Sequence, residues 1–127
     1  MIIRRKSYIE IPYTPENVEK YKSPDNLLSK AMIGSDILGV MFLNKNTQDL
    51  IGYCAWKGNY VVALEVISEY RHKGFGKELL KKAILAGCTK LSVSRKNIPA
   101  LNLYERLGFE DNNINYGPDI VEMELSE

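Results

Sequence analysis

The stretch with the clearest chemistry joins an apolar run, Tyr60 to Ile67 (YVVALEVI), to the turn SEYRHKGFG and then to a run of helical spacing, KELLKKAILAG. A strand that feeds a glycine turn and then a helix start leaves the first helical N–H groups without partners. The helix dipole adds roughly half a positive charge at the same point. Gly74 and Gly76 let the backbone approach an anion with no Cβ in the way. From Glu69 to Lys82 the chain carries Arg71, Lys73, Lys77, Lys81 and Lys82 against Glu69 and Glu78, a net +3. Two readings stay open from this turn alone: a phosphate site, or a plain strand-to-helix turn with a basic, solvated face. A Walker A loop is excluded, since it needs glycine at position 71 and Ser or Thr at 78, where Arg71 and Glu78 stand. The dinucleotide fingerprint needs a third glycine where Leu79 stands, and hairpins rather than a βαβ unit precede it.

A second segment narrows the choice. After the short run LSVS come Arg95-Lys96-Asn97 and then IPALNLYERLGF. The pattern R-x-x-G-x-G at Arg71, Gly74 and Gly76, followed by N-x-x-A-x-x-x-Y-x-x-x-G-F at Asn97, Ala100, Tyr104, Gly108 and Phe109, resembles the GNAT superfamily of acyl-CoA-dependent N-acetyltransferases. The resemblance covers Tyr60 to Phe109 and is weak before Ile37.

The resemblance implies an α/β (α+β) fold: a central mixed, mostly antiparallel sheet of about six or seven strands, flanked by about four helices. The sheet is splayed between strands 60–67 and 90–94. It implies acetyl-CoA as cosubstrate, with the pantetheine arm hydrogen-bonded to the backbone of Leu64 and Val66 like an added strand. The peptide groups of His72, Lys73, Gly74, Phe75, Gly76 and Lys77 hold the pyrophosphate, with Arg71 shaping the turn. Asn97 is a helix cap, a pantetheine contact, or both. Tyr104 occupies the position of the group that protonates the leaving thiolate; its alternative is plain packing on a buried helix face. A free phenol, with a pKa near 10, is close enough to a thiol near 8.5 to serve. The ring of His72 is given no catalytic role.

The general base is open. Glu65 is the one charge inside YVVALEVI, and a carboxylate there must be paired or face an opening. It is read as base or amine anchor, or else as a salt-bridged strand residue, with ordered waters as another route. From Glu105 to Glu127 the charge is −6: Glu105, Glu110, Asp111, Asp119, Glu122, Glu124 and Glu127 against Arg106. This separates a basic end for an anionic cofactor from an acidic region suited to a cationic amine, and Glu65, Asp111 and Tyr116 are the expected acceptor contacts. Glu122 and Glu124 are expected to solvate an outer strand face.

The elements that must position these groups are legible from period and punctuation. Residues 1–11 are β-rich up to Pro12, and Thr14-Pro15 starts a short helix that carries Val18 and Tyr21. Asp25 to Ile33 is expected as a second helix. Ile37–Leu43 and Leu50–Trp56 form a hairpin, and Tyr60–Ile67, apolar on both faces, belongs mid-sheet. Phe75 to Ala86 is helical, with Glu78 and Lys82 as an i,i+4 pair and Gly87 closing it. Leu91 and Val93 mark a strand. Asn97 caps a helix with Pro99 in its first turn. The polar stretch 111–119 reads as a loop, and Ile120–Leu125 as the last strand.

A chain of 127 residues suits one domain, taken as 1–127. Formal net charge of +1 gives no nucleic-acid footprint. One histidine, His72, and two cysteines, Cys54 and Cys88, exclude a multi-histidine or four-cysteine metal site, so no metal is expected. No apolar run is long enough to span a membrane. The expected protein is cytoplasmic, with reduced core thiols, and is a monomer or homodimer. The leading function is acetyl transfer from acetyl-CoA to a primary amine through a ternary complex. The rivals are a catalytically silent CoA-binding sensor or regulatory module and a nucleotide binder. Gly76→Asp places a carboxylate against the expected diphosphate, so calorimetry should show CoA affinity falling at least about tenfold with the fold intact. Unchanged affinity would remove the turn from the cofactor site.

Overall fold

The computed structural model describes residues 7–21, 36–115 and 117–125. Among these, seven strands form one sheet: β1 (Tyr8–Pro12), β2 (Leu38–Asn44), β3 (Leu50–Lys57), β4 (Tyr60–Val66), β5 (Lys90–Ser94), β6 (Phe109–Asn115) and β7 (Ile120–Leu125). Three α-helices accompany them: α1 (Pro15–Tyr21), α2 (Phe75–Leu85) and α3 (Ile98–Arg106). The expected helix at 25–33 lies outside the described residues. No described helix is long and apolar enough to cross a membrane.

The strand order is β1-β2-β3-β4-β5-β7-β6, all antiparallel except β4 beside β5. The apolar run YVVALEV therefore lies at the centre of the sheet, as its two apolar faces require. One face carries α2 and α3 over Phe42, Cys54, Leu91, Val121 and Met123, with Leu79, Leu80, Ala83 and Tyr104 facing them. The other face is a second, smaller core of Tyr13, Val18, Met41, Tyr53 and Ala55.

Local signals explain the ends of the helices. The Asn17 N–H donates to Thr14 Oγ1 at 3.1 Å, so Thr14 caps α1. Gly87, at φ 104°, follows the C-terminus of α2. Asn97 Oδ1 accepts from the Ala100 N–H at 3.3 Å and caps α3.

Three expectations need correction. Lys82 does not pair with Glu78. Its Nζ reaches Glu10 Oε1 on β1 at 2.9 Å, while Glu78 faces Lys81 at 3.9 Å. The tertiary partner wins because Glu10 points from β1 towards α2 in a partly sheltered position, where attraction is less screened than on an open helix face. The stretch from 111 is not a loop throughout. β6 runs to Asn115, with a register break between Asp111 and Asn115 across which Asp111 and Asn112 side chains accept from the Asn113 and Ile114 N–H groups. Glu122 does not solvate an outer face: it is 3% exposed. Asn112 Nδ2, brought over β7 by that break, donates to Glu122 Oε2, which gives the buried carboxylate a partner. Glu124 does stay half-exposed, beside Lys90 at 3.6 Å.

Gly39 is fixed by close approach. A Cβ there would collide with the Cys54 carbonyl oxygen on β3 and lie 2.9 Å from Ala55 Cα and 3.0 Å from Tyr13 Cβ. Gly39→Ala is expected to cost about 2–3 kcal/mol in urea unfolding by overpacking. A loss under about 0.5 kcal/mol would mean that β2 and β3 separate without strain.

Candidate active site

β4 and β5 pair only at Tyr60↔Lys90 and Val61↔Leu91. At that point the β3–β4 register slips: Trp56 faces Val61, Ala55 faces Ala63, and Val62 is the extra residue. A bulge bends its strand and increases its twist, so β4 turns away from β5 just past their last pair. β5 meanwhile stays paired to β7 over its whole length. The result is a wedge-shaped gap in the middle of the sheet.

The ladder decides which backbone groups face that gap. The Ile67 N–H donates to the Ile51 carbonyl at 2.8 Å, and Glu65 lies opposite Tyr53. In an antiparallel pair alternate residues turn their polar groups to the same partner. Ala63, Glu65 and Ile67 therefore bond to β3, and Leu64 and Val66 present theirs to the gap. The Val66 carbonyl is taken by Arg71 Nε at 2.9 Å. Arg71 thereby ties the turn to the end of β4, beyond contributing its charge.

A cleft of about 530 Å³ opens along this edge. One end is the turn, where His72 (φ 64°) and Gly74 (φ 90°) are left-handed. Alternating handedness curls successive N–H groups towards one side, an anion-binding nest. Gly74 precedes α2 without a side-chain cap, and the first backbone bond closing back on it comes from Glu78, so the N–H groups of Phe75, Gly76 and Lys77 have no acceptor within the helix. At Gly76 an added Cβ would meet only ordinary contacts, Leu103 at 3.5 Å and Val66 at 3.8 Å. The fold therefore tolerates bulk there, and glycine at this position serves the space in front of the turn. α3 supplies the other wall with Pro99, Ala100 and Leu103, and Leu107 just after it continues that wall.

Of the residues singled out by sequence, Leu64, Glu65, Val66, Arg71, His72, Gly74, Phe75, Gly76, Lys77, Asn97 and Tyr104 line this cleft. Lys73 does not; its ammonium lies over the Tyr70 ring, 5.9 Å from the centroid. Asp111 does not either. It faces Arg95 at 4.0 Å. Tyr116 lies outside the described residues. Tyr70 and Arg106 line the cleft without having been anticipated. Only the R-x-x-G turn next to Tyr70 and the helical offset of Arg106 from Leu103 hinted at them.

Tyr104 is 9% exposed, on the α2/α3 side of the sheet. Burial pushes its phenol up to about 12, and the neighbouring Cys54 adds to this. Cys54, at 0% exposure, is itself raised to about 12 by burial. Glu65 stands opposite Tyr53, and Tyr53 belongs to the second core, so Glu65 lies on the other face. The gap in the sheet is what lets groups from both faces address one ligand.

A family model described as an acetyltransferase (GNAT) domain matches residues 37–111. The chain belongs to the GNAT acetyltransferase family. N-alpha-acetyltransferase 30 of Xenopus laevis is 34% identical over 85 residues, covering 62% of this chain and 30% of that protein. The human protein of the same name is 33% identical over 85 residues. The chain thus spans less than a third of the length of these curated relatives. Among solved structures, Arabidopsis thaliana NAA60 with a bisubstrate analogue matches with a TM-score of 0.67 at 18% identity, covering 91% of this chain and 94% of that one. The ribosomal-protein-S18-alanine N-acetyltransferase of Escherichia coli matches with a TM-score of 0.65 at 20% identity, covering 92% and 93%. These likenesses show that the sheet with its parted centre is the GNAT fold.

The raised Tyr104 phenol makes stability depend on pH. In the unfolded chain the group ionises near 10.0, and in the fold near 12. Its contribution is complete below the lower value. Between the two the unfolded chain has shed a proton that the fold retains, so stability falls as pH rises. Cys54 and Cys88, the latter raised to about 11, act in the same direction from about 9 upward. Urea midpoints measured from about pH 8 to 11 should decline, and Tyr104→Phe should flatten the part above about 10. An unchanged slope would mean that the hydroxyl is hydrated.

Proposed function

We propose that this chain is an N-acetyltransferase that uses acetyl-CoA and a primary amine, in a single domain spanning residues 1–127. The observation that carries the reading is the parted β4–β5 edge. It offers backbone groups of Leu64 and Val66 along an apolar cleft, with an anion nest at one end and a buried tyrosine within it. These features fit the three parts of acetyl-CoA: a diphosphate for the nest, an amide-bearing arm for the strand edge, and a thioester for the dry end.

Bound acetyl-CoA supplies an acetyl thioester. The turn from His72 to Lys77 holds the diphosphate through N–H groups and the local positive charge. Asn97 holds the start of α3, and so the cleft wall, in place. Glu65 anchors the acceptor amine from the opposite face. The acceptor ammonium first gives one proton to solvent water to become the neutral nucleophile; as the C–N bond forms and the C–S bond breaks, the nitrogen sheds a second proton to water and the sulfur takes one. Tyr104 donates its O–H to that sulfur. With burial pushing its phenol up to about 12, it starts each turnover protonated, and it recovers its proton from solvent after the thiol leaves. The same burial raises the proton affinity of a sulfur anion formed beside it, which narrows the gap between donor and acceptor. Asp111, tethered to Arg95, is left out of the acceptor site.

The names of the relatives put an α-amine first among acceptors to try. The test is thiol release from acetyl-CoA with a panel of peptides and primary alkylamines. Release with at least one is expected, and Tyr104→Phe should lower kcat by about 10²-fold while leaving CoA affinity unchanged. CoA binding with no release across the panel would instead favour a silent CoA-binding module. Wild-type kcat in Tyr104→Phe, where chemistry limits the rate, would return Tyr104 to packing.

A further inference from the structure

The face of the sheet away from α2 and α3 carries a polar pair inside an apolar core. Tyr53 on β3 is 5% exposed and stands directly opposite Glu65 on β4. Tyr53 Oη donates to Glu65 Oε2 at 3.1 Å. Among the described residues the Glu65 side chain has no other hydrogen-bond or ion-pair partner. The Tyr13 ring packs 5.7 Å from that of Tyr53 at 33°, and Tyr13 Cβ lies 3.0 Å from where a Gly39 Cβ would stand. Among the described residues the buried Tyr13 hydroxyl has no hydrogen-bond partner, and it does not compete for the carboxylate.

We propose that Tyr53 is the positioning residue of the acceptor site: its hydroxyl ties down one oxygen of the Glu65 carboxylate and leaves the other for the ammonium of a cationic primary amine at the β4–β5 gap. This rests on the reading of Glu65 as the acceptor anchor. An ionised carboxylate has two oxygens and accepts at both. One is held by a donor with little room to swing away, because Tyr53 is buried and its ring packs against that of Tyr13. A free glutamate on a strand samples several rotamers, and an incoming amine would have to order it. The tether orders it in advance, which is where preorganised binding gains affinity. Burial, with the Glu65 charge and hydrogen bond adding to it, pushes the Tyr53 phenol well above its ordinary range, so the donor keeps its proton at any working pH. The site therefore presents an oriented carboxylate and discriminates by acceptor charge.

The test is steady-state kinetics of the full chain with acetyl-CoA and the alkylamine or peptide that the panel identifies. Tyr53→Phe keeps the ring and removes the tether. It should raise KM for the amine about tenfold, leave KM for acetyl-CoA unchanged and hold kcat within about twofold. Glu65→Gln should raise the same KM at least as much, and adding Tyr53→Phe to it should do nothing further, since the two act as a unit. Glu65→Asp keeps the charge but draws the carboxylate back from the hydroxyl, and should also raise the amine KM. A silent Tyr53→Phe beside a damaging Glu65→Gln overturns this inference and leaves the anchor reading standing. A Tyr53→Phe effect of equal size in the Glu65→Gln background overturns it too, because the effect would not pass through Glu65. A silent Glu65→Gln overturns the anchor and the inference together, while thiol release and the Tyr104→Phe effect still report on the enzyme.

Discussion

Everything at this site depends on one broken ladder. β4 and β5 share two residue pairs, and then a one-residue bulge at Val62 carries β4 away. A continuous parallel pair would satisfy every backbone group of β4 internally and leave nothing to bind. Because it is broken, Leu64 and Val66 face open space from the centre of the sheet, where the backbone is otherwise rigid. Buried backbone polar groups seek partners, so an exposed edge inside a core is a standing demand for a ligand with amide groups. The Val66 carbonyl is already met by Arg71. This bond joins the strand edge to the glycine turn, so that the two halves of the proposed cofactor site keep one spacing.

The gap also solves a problem of sides. Tyr104 packs with Cys54 and the helices on one face, and Glu65 with Tyr53 on the other. In an unbroken sheet a phenol and a carboxylate so placed would be separated by a layer of backbone. At the parting they approach one opening from opposite directions, which suits a reaction with a departing group and an arriving group. Their environments differ accordingly. The phenol is desolvated and keeps its proton; the carboxylate is held by a hydroxyl.

The helices serve this arrangement by where they end. α2 begins at the turn with uncommitted N–H groups, and its length is pinned to the sheet by Lys82 and Glu10. α3 begins at Asn97, whose side chain caps it, and carries Tyr104 two turns on, over the core. The acidic C-terminal hairpin is less a funnel than its composition suggests. Asp111 meets Arg95, Glu124 meets Lys90 and Glu122 is buried with Asn112, so much of that charge is spent on internal partners.

The features legible in the chain are local: the caps at Thr14 and Asn97, the glycine ends, the apolar central strand, and the R-x-x-G-x-G and N-x-x-A-x-x-x-Y spacings of the proposed cofactor site. Each depends on residues within a few positions of one another, where propensity, capping and period act directly. The rest is relational and came with the assembled fold. The bulge at Val62 carries no glycine or proline to announce it, since its position follows from the register between β3 and β4. Tyr53 looks like ordinary strand packing until that register sets it opposite Glu65. Lys82 finds Glu10 rather than Glu78, and β6 extends through a polar stretch, because partners distant in the chain offered better-sheltered contacts than neighbours did. Register and long-range pairing are energies between segments, and no segment carries them alone.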